Sequence, residues 1–405
     1  QGTTLVDHEY SIGSTRVMSV KDKIFANTIV FNRIPKVTIP SWEAERIALK
    51  NRFNLIVPQA VAGYWDAMKK FITTANVNGD NFGLPHLYRI EPTPFEEWNA
   101  RFPKGRRLQN ERARESLNQV TLGPRDYWRS AFVKIEKILK MVSYDPRLIS
   151  GTTARSNVVL GPWMHAFSKY VTKQWNVRNR IFYASGITPT ELGQWYDYWT
   201  TRLGPGEWAM AALGDDNLII LNLDGVISLI EFDGSRFDAT IGNQAQSFEH
   251  TVYRAAGAPQ ECITILEHQS GAFGWTRFGI EFRGIFGRNS GDPNTSIGNT
   301  LINATSLSDY MTKTEPKDIT VEHMEKHLVK AGFNPKVVIG DRYNATFLSG
   351  CFVPVFGRTV WVPKLGRLLT KFGWSVNRPH TLKEMRGLIH QYIGYKFLPF
   401  VGSFI

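Results

Sequence analysis

The chain has 405 residues and a formal net charge of +12, from 48 Lys plus Arg against 36 Asp plus Glu. Hydrophobic residues make up 42% and aromatics 13%, which excludes a disordered polymer, and the length exceeds one ordinary core of roughly 100–200 residues. No window approaches about 18 uninterrupted apolar residues, the first ten residues are unlike a secretory leader, and Cys262 and Cys351 are too few to staple such a chain, so a basic, soluble, intracellular protein of two or three lobes, or of one elaborated domain, in a reducing compartment is expected.

In chain order, the first hundred residues mix short apolar runs, breaks at Pro35 and Pro40 and a helical stretch over 41–53, with no legible role. Residues 101–147 read as basic helix or extended chain, with 12 Lys plus Arg against 5 acids, a net +7. Residues 191–202 carry Trp195, Tyr196, Tyr198 and Trp199 and predict a packed helix. Residues 207–232 are three β-prone runs broken at Gly214-Asp215-Asp216 and at 222–225, predicting strand, turn, strand, turn, strand. Helices are predicted over 295–306 and 321–331, the latter with Thr320 as N-cap and Gly332 just past its end. His323 and His327 are four apart on that helix, but Met324 breaks the zinc-protease pattern, so surface histidines are expected. From residue 350 onward there are 8 basic residues and one acid, another net +7, which leaves −2 for the rest. Two basic blocks flanking a near-neutral middle suit two walls facing a polyanion.

The middle supplies a reason for those walls. Asp215 and Asp216 sit at a Gly turn between apolar runs, Asp233 ends the next strand, and Asp238 follows five residues later. A Gly-Asp-Asp triplet alone is an ordinary turn. Two carboxylate-tipped strands joined by a tight turn lie side by side, however, and crowded carboxylates repel unless a cation sits between them. Hard oxygen ligands suit Mg²⁺ or Mn²⁺, and two ions about 3.5–4 Å apart are the phosphoryl-transfer arrangement. A third segment sets Ser290-Gly291 before Thr295 and Asn299, which share one helix face. In isolation it reads as the polar start of a helix.

Together these segments resemble the palm of viral RNA-dependent RNA polymerases. Asp233 to Asp238 resembles motif A, Ser290 to Asn299 motif B, and Gly214-Asp215-Asp216 motif C. Residues 132–137 with Asp145-Pro146-Arg147 are similar to motif F of tombusvirus- and nodavirus-like polymerases; residues 332–336 resemble motif D and 345–350 motif E. The usual order is A, B, C. Here the Gly-Asp-Asp segment comes first, and residues 307–319 hold no Asp-Asp to replace it. The order C, A, B is similar to that of the permuted polymerases of permutotetraviruses and birnaviruses. In a split βαβ sheet the motif A strand lies antiparallel beside the second strand of the motif C hairpin. A tight turn such as Asp224-Gly225 can therefore join them and leave the site unchanged.

The resemblance implies an α+β right-hand fold of fingers, palm and thumb, with a ferredoxin-like antiparallel palm sheet in permuted connectivity. Residues 1–100 would be an N-terminal extension or fingers, 101–204 fingers with motif F, 205–344 palm, and 345–405 motif E with a short thumb. It implies template-directed RNA synthesis from rNTPs with two Mg²⁺ or Mn²⁺ ions, Asp215 and Asp233 as principal ligands and Asp216 nearby. Lys336 would protonate pyrophosphate, and Lys134, Lys137 and Arg147 would neutralise the triphosphate. Asp238 would read the ribose 2′-OH with Asn299, helped by Ser290, Gly291 and Thr295. Arg106, Arg107, Lys364, Arg367 and Lys371 would track RNA. The implied partners are template and nascent RNA, rNTPs and other viral replication proteins, in the host cytoplasm. The apolar end over 397–405 suggests a compact thumb or a piece of a longer product. Two rivals remain: a reverse transcriptase, which would place a bulky aromatic where Asp238 stands, and an RNA-packaging protein, which would leave the carboxylates idle.

Overall fold

The computed structural model describes residues 36–371, apart from 54, 75–83, 85–88, 139–144, 269–270, 272, 284–286 and 342–344, together with residues 381–393. The expectations for residues 1–35 and for the apolar end lie outside the described residues, as do the side chains of Lys137 and Lys371.

The chain is a mixed α+β structure built around a five-stranded sheet. Trp208–Leu213, Asp216–Leu223 and Val226–Gly234 form the expected meander, each antiparallel to the next. Pro335–Gly340 adds an antiparallel edge beside Val226–Gly234. At the other edge Ile181–Tyr183 pairs parallel with Trp208–Leu213, so the sheet is antiparallel through four strands and mixed at the fifth. That three-residue strand is too short to announce itself by alternation. Two tight turns set the register. Gly214, at φ +65, takes the first central position of the turn that pairs Leu213 with Asp216, where a primed hairpin turn needs glycine. In the second turn Asp224 (φ +50) and Gly225 (φ +89) are both left-handed, and Asn222 Oδ1 accepts from the Gly225 N–H at 2.8 Å.

Both faces of this sheet are covered, which accounts for apolar runs without clean alternation. Met210, Ile219, Ile230 and Phe232 face one core with Trp163, Phe167, Phe248 and Leu301. Ala211, Leu218, Ile220 and Leu229 face a second with Trp195, Tyr196, Phe347 and Phe352. Each fully buried Leu, Ile or Phe side chain contributes about 1.5–3 kcal/mol, making the sheet the rigid base for whatever stands at its ends. The predicted aromatic helix is Pro189–Thr200, opened by a capping box in which Thr188 Oγ1 accepts from the Glu191 N–H at 3.2 Å and the Glu191 carboxylate accepts from the Thr188 N–H at 2.9 Å. It packs against the hairpin of Gly350–Val355 and Arg358–Pro363.

A second sheet runs in the order Glu281–Arg283, Phe273–Thr276, Arg129–Val133, Leu148–Gly151. Ala131, Val133, Leu148 and Phe282 on one of its faces pack beneath Ala44, Ala48 and Leu49. The helix read over 41–53 is α-helical as Trp42–Ala48 and then widens into a π-type turn, Leu49–Phe53. The helix read over 295–306 continues to Lys313, and Val321–Lys330 begins at Thr320, whose Oγ1 accepts from the His323 N–H at 3.1 Å.

His327 departs from the expected surface position. It is half-buried, with the Tyr64 hydroxyl 3.3 Å from Nε2 and the Tyr310 ring centroid 5.1 Å away. Burial holds its imidazole below the usual range; Asp309 opposes this, while Lys330, Lys313 and His323 add to it. The unfolded chain therefore takes up the proton first, so this contribution to stability is full above about pH 6.5 and is lost as the pH falls below it. His327→Gln is expected to lose less melting temperature than the parent between about pH 7.5 and 5.5. Equal losses in thermal melts would show an imidazole that protonates as easily folded as unfolded.

Candidate active site

The Gly214-Asp215 turn and the end of Val226–Gly234 meet at one end of the central sheet. Backbone register pairs Asp216 with Asp233 and Asp233 with Lys336, so these three positions form a row across three strands. Asp215, Asp233 and Asp238 line a cavity of about 720 Å³ together with Lys134, Arg147, Ser290 and Arg367. Burial, then the charges of Asp238 and Asp233, raise the Asp215 carboxyl above its ordinary range. Burial with the charges of Asp215, Asp233 and Glu231 pushes Asp216 up to about 7, and Arg147 opposes both shifts. Burial is the larger cause at both residues, and the neighbouring carboxylates add to it. Among the described residues no three Asp, Glu, His or Cys side chains converge to hold an ion by themselves. One or two carboxylates completed by water and substrate phosphate is, however, the usual way Mg²⁺ is bound.

The helix Thr295–Lys313 pins the turn from behind. Thr300 Oγ1 accepts from the Gly214 N–H at 2.8 Å, and Asn303 Nδ2 donates to the Gly214 carbonyl at 2.9 Å. The same helix and the loop before it hold Asp238: Asn299 Nδ2 donates to Oδ1 at 2.7 Å, and the Ser290 hydroxyl donates to Oδ2. Asn299 is oriented in turn, because its Oδ1 accepts from Arg288 Nε at 2.8 Å. The Arg288 guanidinium pairs with Glu249 in the interior. Glu249 Oε1 also accepts from Asn294 Nδ2 at 2.8 Å and the Tyr253 hydroxyl at 2.5 Å. Burial alone would raise the Glu249 carboxyl, but the guanidinium against it wins and holds it below the ordinary range. A Cβ at Gly298 would overlap both members of this pair.

A second buried pair, Arg129 with Asp292, ties the 288–294 loop to Arg129–Val133. Close backbone approach completes the junction: the Ser150 N–H donates to the Ser290 carbonyl at 3.0 Å, and at Gly291 (φ +142) a Cβ would lie 2.9 Å from the Ser150 carbonyl oxygen. Glycine is required there by both conformation and space.

Other expected site residues fall less centrally. The Thr295 hydroxyl donates to the Asn289 carbonyl at 2.8 Å, so it shapes the loop. Lys336 is exposed beside Asp233 but does not line the cavity. Arg106 donates to Gln109 at 2.7 Å, and Arg107 lines a different cleft with Phe95 and Glu96, so neither is at the cavity. Lys364 lies outside the lining as well, its N–H donating to the Ser349 carbonyl at 3.1 Å. Sequence reasoning missed Arg288, Glu249, Thr300 and Asn303, and also Glu231, which accepts from the Thr346 N–H at 2.9 Å and hydroxyl at 2.7 Å and so anchors the 345–350 segment. The one available signal was a Glu on the apolar stripe of Asn243–Ala255, beside Ala245, Phe248 and Val252.

Residues 227–322 match a family model described as viral RNA dependent RNA polymerase. That stretch holds Asp233, Asp238, Ser290 and Asn299, and it begins after Gly214-Asp215-Asp216. Among individual proteins, the chain is similar to the putative RNA-directed RNA polymerase of barley yellow dwarf virus (isolate PAV), 28% identical over 255 residues, which is 62% of this chain and 26% of that protein. It is also similar to the RNA-directed RNA polymerases of cucumber necrosis virus, 32% identical over 208 residues (49% and 23%), and of maize chlorotic mottle virus, 26% over 267 residues (63% and 24%). The chain spans about a quarter of the length of these relatives.

Proposed function

We propose that this chain is the catalytic region of a viral RNA-dependent RNA polymerase, transferring nucleotides from rNTPs to the 3′-OH of a growing RNA strand on an RNA template. The observation that carries this reading is the cavity lined together by Asp215, in the turn before one strand, Asp233, on the neighbouring strand, and Asp238, Lys134 and Arg147. The matching viral polymerases support it from sequence.

Two Mg²⁺ or Mn²⁺ ions, with Asp215 and Asp233 as principal ligands and Asp216 beside them, would lower the pKa of the primer hydroxyl and offset charge on the triphosphate. Lys134, Lys137 and Arg147 attract and orient the triphosphate. Lys336 gives a proton to the departing pyrophosphate. Asp238, held by Asn299 and Ser290, accepts from the ribose 2′-OH, the group that separates rNTP from dNTP. Arg367 meets the RNA backbone, with Arg106, Arg107, Lys364 and Lys371 farther along it. On this reading the motif order is C, A, B, and the two-residue turn between Leu223 and Val226 supports it because no longer link is needed. The lobes follow as fingers over 101–204, palm over 205–344 and motif E with thumb from 345, with RNA, rNTPs and other viral replication proteins as partners in the host cell. Among the described residues no helix is long and apolar enough to cross a membrane.

The test is primer extension on an RNA template by the purified chain. Extension is expected with Mg²⁺ or Mn²⁺, should stop with EDTA and should return when the ion is restored. RNA binding without extension would favour a packaging protein, and preference for dNTPs a reverse transcriptase. A site built to bind a hydroxyl rejects the analogue lacking it strongly. Asp238→Ala is therefore expected to lower rNTP-over-dNTP discrimination by about tenfold or more, measured as the ratio of kcat/KM values. An unchanged ratio would remove Asp238 from that role.

A further inference from the structure

The second sheet has a face that the core leaves open. Alternation along Arg129–Val133 turns Arg129, Ala131 and Val133 inward, and Ser130 and Phe132 outward, Phe132 being 44% exposed. Register places Ile149 beside Phe132, Trp275 beside Ser130, and Arg283 beside Phe273. Trp128, just before the strand, joins them: its ring meets Trp275 edge-on at 4.7 Å and Phe273 at 5.8 Å, while Phe273 and Trp275 are 4.8 Å apart. All three rings are partly exposed. Arg125 lies over Trp128, 5.6 Å from the ring centroid, and Arg277 and Arg283 are exposed at the rim.

This face runs into the catalytic cavity. Two residues beyond Phe132, the Lys134 N–H donates to the Arg147 carbonyl at 2.7 Å, continuing the ladder between the two strands. Lys134, Arg147 and Ile149 all line the cavity that holds Asp215 and Asp233. At about 3.3 Å per residue, the strip from Trp128 to Lys134 is about 20 Å long.

Rings interleaved with arginines on an open sheet, continuous with a basic cavity mouth, match what unpaired nucleic acid needs. Every base offers a π-face to an aromatic side chain, and the arginines meet phosphate without reading sequence. Aromatic rings and arginine are also common at protein interfaces; what favours RNA is the continuity of this face with the cavity lined by Lys134 and Arg147. We propose that Trp128, Phe132, Phe273 and Trp275 form a stacking track for single-stranded RNA leading to the cavity. That this RNA is the template still to be copied rests on the polymerase reading; that the face binds single-stranded RNA does not.

The experiment uses the full chain and a fluorescein-labelled oligouridylate of about 12 nucleotides, a length within the usual site size, with affinity read by anisotropy at fixed salt. Phe132→Ala and Trp275→Leu are each expected to raise Kd by about tenfold, while Trp275→Phe, which keeps a ring, stays within about threefold. Thermal melts check folding; if Trp275→Leu melts low, Phe132→Ala at its exposed position carries the test. Unchanged Kd in Phe132→Ala and Trp275→Leu overturns the track. So does a dimer of the parent that Trp275→Leu dissociates without altering RNA affinity, which would assign the face to a second copy. Weakened RNA binding with no primer extension by the parent leaves the track standing and removes the polymerase reading. Extension with unchanged RNA affinity does the reverse.

Discussion

Asp233→Ala and Asp215→Ala are each expected to lower primer extension by at least about 10²–10³-fold, the scale on which removing one preorganised electrostatic group acts, and to raise the melting temperature in EDTA. The two effects share one cause. Asp215 and Asp233 line the same cavity, and burial, with the charges of Asp238 and Asp233 added to it, pushes the Asp215 carboxyl up. Without a cation the folded state holds these carboxylates against their mutual repulsion, so deleting one relieves it while depriving an ion of a ligand. A variant that loses extension and also melts early would be reporting damage to the sheet. Undiminished extension in either variant would end the polymerase reading.

Glu249→Ala should show the largest loss of stability. It leaves Arg288 charged in the interior, and breaking a buried pair by removing one partner costs about 3–5 kcal/mol. Replacing the pair together, Glu249→Leu with Arg288→Met, should recover part of that loss, because burying the pair was itself expensive, while the Tyr253 hydroxyl and the Asn294 amide lose the acceptor they had in Glu249. Ribose discrimination should not recover with it. In the double variant Asn299 Oδ1 no longer has the Arg288 Nε donor 2.8 Å away, so the amide that donates to Asp238 at 2.7 Å is free to turn. Thermal melts and the rNTP-to-dNTP ratio therefore separate a purely structural pair from one that positions Asn299. If the double variant regains both stability and discrimination, the pair matters for folding alone.

The acidic lining of the cavity was readable because it is written locally. The carboxylates, the two turns and the Ser290 to Asn299 spacing each lie within a few residues, and the periodicity of the central meander is simple. What escaped depends on long-range encounters between residue types that mean little in sequence. Glu249 meets Arg288 across 39 residues, and Thr300 meets Gly214 across 86. A threonine within a helix carries no sign that its hydroxyl will accept from a distant glycine. Charge counting alone could not place the cavity: Arg106 and Arg107 are as basic as Arg147, but only burial and topology decide which guanidinium lines it. The parallel strand Ile181–Tyr183 escaped because three residues cannot display a period.

The meander of Trp208–Leu213, Asp216–Leu223 and Val226–Gly234 is joined by two-residue turns, and it brings Asp215 and Asp233 together although they are only 18 positions apart along the chain. Contacts this close in sequence cost little loop-closure entropy and form early. During synthesis the acidic pair can therefore assemble before the Thr295–Lys313 helix has been made. Thr300 and Asn303 arrive later to fix the turn. The crowded carboxylates of the meander are therefore braced by contacts that come from much farther along the chain.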